Sequence, residues 1–176
     1  SGRHQETMAL AGGALFDIRH DPSRTLTISA GGVEIGDIGT RFDVQTAGQQ
    51  VRVAVAEGQV SVASAALAQP VRLTEGRGLL FDPARGSSLV QAVNKADVGG
   101  WRTGRLSFSE TPLALVAADL ERYAGVKVTV AQRVRNRPFS GTLAIGNGDA
   151  ALRDLSQLMA VELRRDAGGY VLDSAR

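Results

Sequence analysis

The chain has 176 residues, of which 43% are hydrophobic and 22% are charged, and its formal net charge is +2. This composition is typical of a globular protein with a core and too apolar for an intrinsically disordered chain. The absence of cysteine excludes disulfides, thiolate catalysis and cysteine-ligated zinc. No apolar run approaches the roughly 20 residues that span a bilayer.

The positive charge is unevenly distributed. Residues 1–100 hold 9 basic and 10 acidic side chains, whereas residues 101–176 hold 11 basic and 8 acidic ones. Nucleic-acid binding calls for a dense basic stripe, which this surplus does not provide. We therefore expect no nucleic-acid partner.

The first half of the chain alternates apolar and polar residues between glycine-containing pairs. In "VRVAVAEGQVSVAS" (51–64), valines share one face on either side of the Glu57-Gly58 turn. This pattern is typical of antiparallel hairpins with one buried face. It predicts an all-β domain over residues 1–85, whose short strands either stack as a solenoid or pack as a sandwich.

A Phe-Asp phrase recurs in this half, in "GALFDI" (13–18), "IGTRFDV" (38–44) and "GLLFDP" (78–83). Neighbouring side chains of a strand point to opposite faces, so an inward phenylalanine predicts an outward aspartate. We therefore interpret Asp17, Asp43 and Asp82 as parts of a repeated strand element, rather than as a paired acid/base site. The residues predicted to support this framework are Phe16, Phe42, Gly39 and Gly58.

After a linker predicted at 86–100, the pattern changes to helical spacing. "TPLALVAADLERYAG" (111–125) predicts a helix with Thr111 as N-cap and Gly125 at its end, and "GDAALRDLSQLMA" (148–160) predicts a second helix. Short strands flank both helices. Residues 101–176 are therefore predicted to form a small α+β domain of β-α-β followed by β-α-β-β, and the whole chain a mixed fold.

The sequence lacks the residue sets of common catalytic and metal sites. Its only histidines are His4 and His20, and His20 lies in the polar turn "RHDPSR". Neither a Ser-His-Asp set nor an HExxH motif can be assembled from them. The sequence therefore predicts a protein that is not an enzyme and that binds no cofactor or metal.

Two further features in the second half have a structural and a functional interpretation. Trp101, the only tryptophan, is more often a buried anchor than a ligand platform. The run "RVRNRP" (133–138) has one aromatic neighbour, so we interpret it as a loop that steers an acidic partner rather than as an RNA contact.

The ordered motifs resemble a known family. "GGALFDIRHDPSRTLTISAGGVEIGDIGTRFDVQTAGQQVRVAVAEGQVSVAS" resembles the FecR domain, and "VRLTEGRGLLFDP" resembles its closing strands. "GWRTGRLSFSETPLALVAADLERYAGVKVTVAQ" is similar to the Trp-containing junction of the same proteins, and residues 105–174 resemble the STN domain.

The resemblance implies the periplasmic part of a single-pass inner-membrane regulator of an extracytoplasmic-function sigma factor. Such a part receives its signal from the N-terminal signalling domain of a TonB-dependent outer-membrane transporter, typically one that imports ferric siderophores. The sigma factor binds on the cytoplasmic side of the full-length protein. Neither nucleic acid nor a small-molecule ligand is expected.

We expect partner contact along the exposed strand edges 105–109 or 126–131, where unpaired backbone groups can accept an incoming strand. A glycan- or peptidoglycan-binding module remains the alternative, and it requires an aromatic platform. The residues predicted to contact the partner are Leu106, Phe108, Val128, Val130, Arg133, Arg135 and Arg137.

Overall fold

A computed structural model of the chain describes residues 4–37 and 39–176. It divides into two compact units, Ser1–Gly99 and Gly100–Arg176, each of which is described by itself.

The first unit consists of strands. They are β1 (His4–Leu10), β2 (Gly13–Asp17), β3 (Arg24–Ala30), β4 (Val33–Asp37), β5 (Arg41–Ala47), β6 (Gln50–Glu57), β7 (Gln59–Ala63), β8 (Val71–Thr74), β9 (Arg77–Asp82) and β10 (Ser87–Ala92). They form two five-stranded sheets, with strand orders β1-β3-β4-β7-β8 and β10-β9-β6-β5-β2. Within the described residues, β1 and β3 are the one parallel pair of this unit.

The core of this unit lies between the two sheets. Ile28 and Ile35 of the first sheet and Phe42 and Val53 of the second are 0% exposed and belong to one cluster. Burying such a side chain contributes about 1.5–3 kcal/mol, which makes this cluster the main source of the unit's stability. The period-two alternation of the sequence therefore produces a two-sheet sandwich.

The segment predicted as a linker, 86–100, contains strand β10, which pairs with β9. The chain after β10 returns across β5, where the Gly99 N–H donates to Asp43 Oδ2 at 3.2 Å. Gln45 Nε2 donates to Asp43 Oδ1 at 2.7 Å, and Asp43 is only 8% exposed. Asp43 thus lies on the outer face of β5, as the Phe-Asp alternation predicts, but it is buried there because this segment covers that face.

The second unit contains two α-helices and five strands. They are β11 (Arg105–Pro112), α1 (Leu113–Ala124), β12 (Val128–Val130), β13 (Pro138–Ala144), α2 (Gly148–Met159), β14 (Val161–Asp166) and β15 (Gly169–Ser174). β11 and β13 form an antiparallel pair, and a separate sheet has the strand order β12-β15-β14. Leu113, Leu120, Leu152 and Leu155 turn from the two helices into one core and are 0% exposed.

The start of α1 differs from the prediction, whereas its end agrees with it. Thr111 lies in β11 and is buried, so its predicted role as N-cap of α1 is wrong. The first N–H groups of α1 instead donate to backbone carbonyls, Leu113 to Arg137 at 3.0 Å and Ala114 to Arg135 at 2.9 Å. Gly125 ends α1 with φ of +68°, as predicted.

The predicted mixed fold class is wrong. Strands hold 52% of the described residues, and helices hold 18% when the short 3-10 helices Lys95–Asp97 and Gly100–Thr103 are included, so the chain is mostly β. The strands on either side of each helix lie in different sheets: β11 and β13 pair with each other, and β12 and β14 flank β15. A β-α-β unit requires parallel strands in one sheet, and local periodicity carries no information about such long-range pairing.

Replacing Asp43 by alanine should destabilise the first unit. The change removes the acceptor of the Gly99 N–H and of Gln45 Nε2, and an unsatisfied buried donor costs about 1–3 kcal/mol. Urea unfolding followed by far-UV circular dichroism measures the change. Asp17→Ala is the matched control, because Asp17 occupies the same Phe-Asp phrase but is exposed, and we expect a change within about 0.5 kcal/mol. Equal losses in both variants would contradict this role of Asp43.

Candidate interaction surface

The described residues hold no group of three or more His, Asp or Glu side chains that could bind a metal ion. His4 begins β1, and His20 lies exposed in the turn before β3. Among residues 4–37 and 39–176, no helix is both long and apolar enough to cross a membrane. The candidate site is therefore the surface of the strands rather than a cluster of reactive side chains.

The strand β11 turns its predicted contact residues into the core. Leu106 and Phe108 are 4% and 6% exposed, and the Phe108 ring packs against Phe139 with centroids 5.9 Å apart. β13 occupies one edge of β11, and the two-stranded sheet ends at the other edge. Any contact along 105–109 would therefore use the backbone of that outer edge, with Ser107 at its middle.

The strand β12 has a partly capped outer edge. Its pairing with β15 uses the Lys127 carbonyl, which accepts from Tyr170 N, and the Ala131 N–H, which donates to Leu172 O. In a parallel ladder the alternate residues, Val128 and Val130, therefore direct their N–H and C=O groups to the outer edge. The Val128 N–H donates to the Glu121 carboxylate at 3.1 Å. Val128 is buried at 6% exposure and Val130 is half-buried.

Arg133 is held by an ion pair within the unit. Its Nε and Nη2 donate to the two carboxylate oxygens of Asp173 at 2.5 and 2.6 Å, and Arg164 Nη2 donates to Oδ2 at 3.0 Å. The hydrogen bonds from Arg133 hold the pKa of Asp173 well below its ordinary value, and Asp173 in turn raises the pKa of Arg133. The Asp173 carboxylate of β15 thus joins that strand to β14 and to the loop that follows β12.

Arg135 and Arg137, the other two arginines of the run, differ in what their side chains contact. Arg137 Nη2 donates to the Met159 carbonyl at 2.6 Å, where a cation also complements the dipole at the end of α2. Arg135 is exposed and donates to Gln132 Oε1 at 3.1 Å. Of the three, Arg135 is the one whose contacts stay local.

The predicted structural aromatics take part in ring contacts. Trp101 stacks on Tyr123 with centroids 4.7 Å apart, and Phe16 stacks on Phe42 at 5.1 Å. All eight aromatic residues of the chain lie within the described part, and each is buried or half-buried. They therefore form no exposed platform of the kind that a glycan-binding module requires.

Gly39 and Gly58 occupy positions where a side chain would not fit. Gly39 has φ of +145°, and a Cβ there would lie 2.3 Å from His20 Cα. Gly58 has φ of +79°, and a Cβ would lie 2.9 Å from the Gly39 carbonyl oxygen. Two close approaches of backbone therefore require glycine here.

Sequence reasoning missed the residues that partner these sites. Glu121, which caps β12, reads as one more polar position of an amphipathic helix. Asp173 lies 40 residues from Arg133, so no local spacing connects them. Both contacts depend on how the elements pack in three dimensions, so local sequence patterns could not have identified either of them.

Replacing Arg133 by methionine should lower the urea midpoint of the second unit at neutral pH. The pKa of Asp173 is lowered on folding, so its stabilising contribution is complete above the unfolded value of about 3.9 and declines below it. The gap between wild type and variant should therefore narrow under acid. Fluorescence of Trp101, which lies in this unit, follows the unfolding.

Arg135→Met serves as the matched control, because within the described part of the chain that side chain bonds to its near neighbour Gln132. It should leave the midpoint nearly unchanged at both pH values. An Arg133 variant with the same pH dependence as wild type would contradict the role of the ion pair.

Comparison with known proteins identifies one segment of the chain. Residues 1–61 match the family model described as FecR protein. Two crystal structures of a candidate anti-sigma factor from Parabacteroides distasonis ATCC 8503 share the fold, each with a TM-score of 0.84 and 20% identity. The match covers 98% of this chain and 82% and 81% of those chains. None of the curated protein sequences matches. The predicted resemblance to FecR is thus confirmed as a match over residues 1–61.

Proposed function

We propose that this chain is the periplasmic signalling part of a regulator of an extracytoplasmic-function sigma factor. It binds the N-terminal signalling domain of a TonB-dependent outer-membrane transporter and relays that signal inward, toward a sigma factor on the cytoplasmic side. The regulated process is the uptake of ferric siderophores. The chain acts by protein–protein contact and not as an enzyme.

The FecR match over residues 1–61 carries this proposal. The likeness in fold to a candidate anti-sigma factor supports it, since the likeness extends over nearly the whole chain.

The strand edges of the second unit support contact by strand addition. The outer edges of β11 and β12 carry no further strand in the described part of the chain. At β12 the Val130 N–H and C=O face that edge, next to the Val128 N–H that Glu121 caps. An incoming strand would pair with these groups, and half-buried Val130 and exposed Thr129 would add side-chain contact.

The arginine run contributes unequally to this contact. Arg135 is exposed and is the member of the run best suited to meet an acidic partner. Arg133 and Arg137 hold Asp173 and the end of α2, so their role in recognition is to shape the loop. The partner surface thus combines the edge of β12 with the positive charge of the adjoining loop.

Replacing Val130 by proline tests the edge directly. Proline removes the outward N–H while keeping a residue that an edge strand tolerates. Affinity for the signalling domain of the cognate TonB-dependent transporter should fall by about tenfold or more, as measured by calorimetry. Val130→Ala keeps the N–H and loses only part of the side-chain contact, so its affinity should fall much less than that of the proline variant. Unchanged binding by the proline variant would move the contact to β11, where Ser107→Pro is the equivalent change, and absence of binding by wild type would contradict the proposed function.

Replacing Glu121 by alanine should have the opposite effect. The change frees the Val128 N–H from its side-chain acceptor at 3.1 Å, so an incoming strand no longer displaces a carboxylate. We expect affinity to rise severalfold in the same titration. Glu162→Ala is a control with the same loss of charge on β14, and it should leave affinity unchanged. A loss of affinity in the Glu121 variant would contradict an approach along β12.

A further inference from the structure

The first unit contains a cavity of about 310 Å³ that the signalling role does not use. It lies between β1, β3 and β4 and the turn that follows β2. Ile18 and Leu26, both partly buried against the core, form its apolar wall. A volume of this size lies at the lower end of the range of small-molecule sites.

Asp37 lines this cavity and is only half satisfied. It ends β4 on the face that carries Val33 and Ile35 into the core, and it is 2% exposed. Its Oδ1 accepts from the Gly39 N–H at 3.1 Å. Its Oδ2 is buried and has no hydrogen-bond partner among the described residues. A buried carboxylate oxygen without a donor is costly, so its presence in a cavity marks a binding position.

The remaining charges around the cavity leave Asp37 uncompensated. Four carboxylates line it, namely Glu6, Asp17, Asp21 and Asp37, against the two guanidinium groups of Arg19 and Arg24. Arg24 is engaged with Glu6 at 2.5 Å, and Asp21 accepts from the Ser23 N–H and hydroxyl. No cation of the described chain contacts Asp37. The field inside the cavity therefore favours a positive guest.

We propose that this cavity binds an alkylammonium group, with its nitrogen at Asp37 Oδ2 and its carbon chain along Ile18 and Leu26. An ammonium brings its own N–H donors and so satisfies a single carboxylate oxygen. A metal ion fits less well, because the described residues hold no cluster of three His, Asp or Glu ligands. The group comes either from a lysine side chain of another polypeptide or from a free diamine. This site goes beyond the proposed function and beyond the expectation that no small molecule binds.

Titration of the chain by two-dimensional NMR tests the site with three probes. They are Nα-acetyl-lysine methylamide, 1,5-diaminopentane and the neutral Nα-acetyl-norleucine methylamide. We expect saturable shifts of the Gly39 and Leu26 amides with at least one of the two amines at millimolar concentration, and none with the neutral compound. Shifts with the lysine derivative alone indicate a polypeptide source, and shifts with the diamine alone a free amine.

Asp37→Asn separates binding from folding. Asparagine keeps the acceptor for the Gly39 N–H, removes the buried charge and should therefore leave the unit folded with an equal or higher urea midpoint. Amine affinity should fall by about tenfold or more. Glu75→Gln is the control, because it also removes one negative charge but at an exposed residue that pairs with Lys95. It should leave amine affinity unchanged. Absence of saturable shifts in wild type, equal binding of the norleucine compound, or undiminished binding by the Asp37 variant would each overturn the proposal.

Discussion

A buried carboxylate has to find donors or a cation, and this requirement shapes both units. Removing a carboxylate from water is so costly that it persists in a core only when its oxygens are satisfied. Asp43 meets the requirement with Gln45 and the Gly99 N–H, which ties the end of the first unit to β5. Asp173 meets it with Arg133 and Arg164, which joins a loop and two strands of the second unit. Each carboxylate thus acts as a point where segments distant in sequence are joined.

Asp37 differs from those two carboxylates because its hydrogen bond joins no distant segments and one of its oxygens has no donor among the described residues. One of its oxygens accepts from Gly39, two residues away, so the bond shapes only the local turn. Asp37 lines a cavity, and its other oxygen has no hydrogen-bond partner in the described chain, whereas Asp43 and Asp173 have both oxygens bonded. Hydrogen bonds already account for the burial of Asp43 and Asp173. For Asp37 a hydrogen bond satisfies one of the two carboxylate oxygens, and the proposed ammonium group would donate to the other.

The sequence predicts features that depend on near neighbours and misses those that depend on distant ones. Period-two alternation correctly identifies the buried faces of β6, and helical spacing correctly identifies α1 and α2, because both follow from local geometry. The same alternation places Asp43 on the outer face of β5 but does not reveal that the chain before Gly99 covers that face. The pairing of β11 with β13 joins residues that are 26 (Pro112 and Pro138) to 39 (Arg105 and Ala144) positions apart, so it is likewise invisible to a local pattern.

The outer edge of β12 is blocked at the Val128 N–H by Glu121 and open at Val130. A bare strand edge invites pairing with any other chain, and proteins usually cover or charge such edges. Here Glu121 reaches from α1 to the Val128 N–H, which blocks one donor of the edge and places a negative charge beside it. A partner strand has to displace that carboxylate, so indiscriminate pairing is disfavoured. Arg135, exposed on the adjoining loop, then favours partners that carry negative charge of their own. In the proposed contact, the Glu121 cap and the Arg135 cation would therefore set selectivity together, and the main-chain hydrogen bonds would supply affinity.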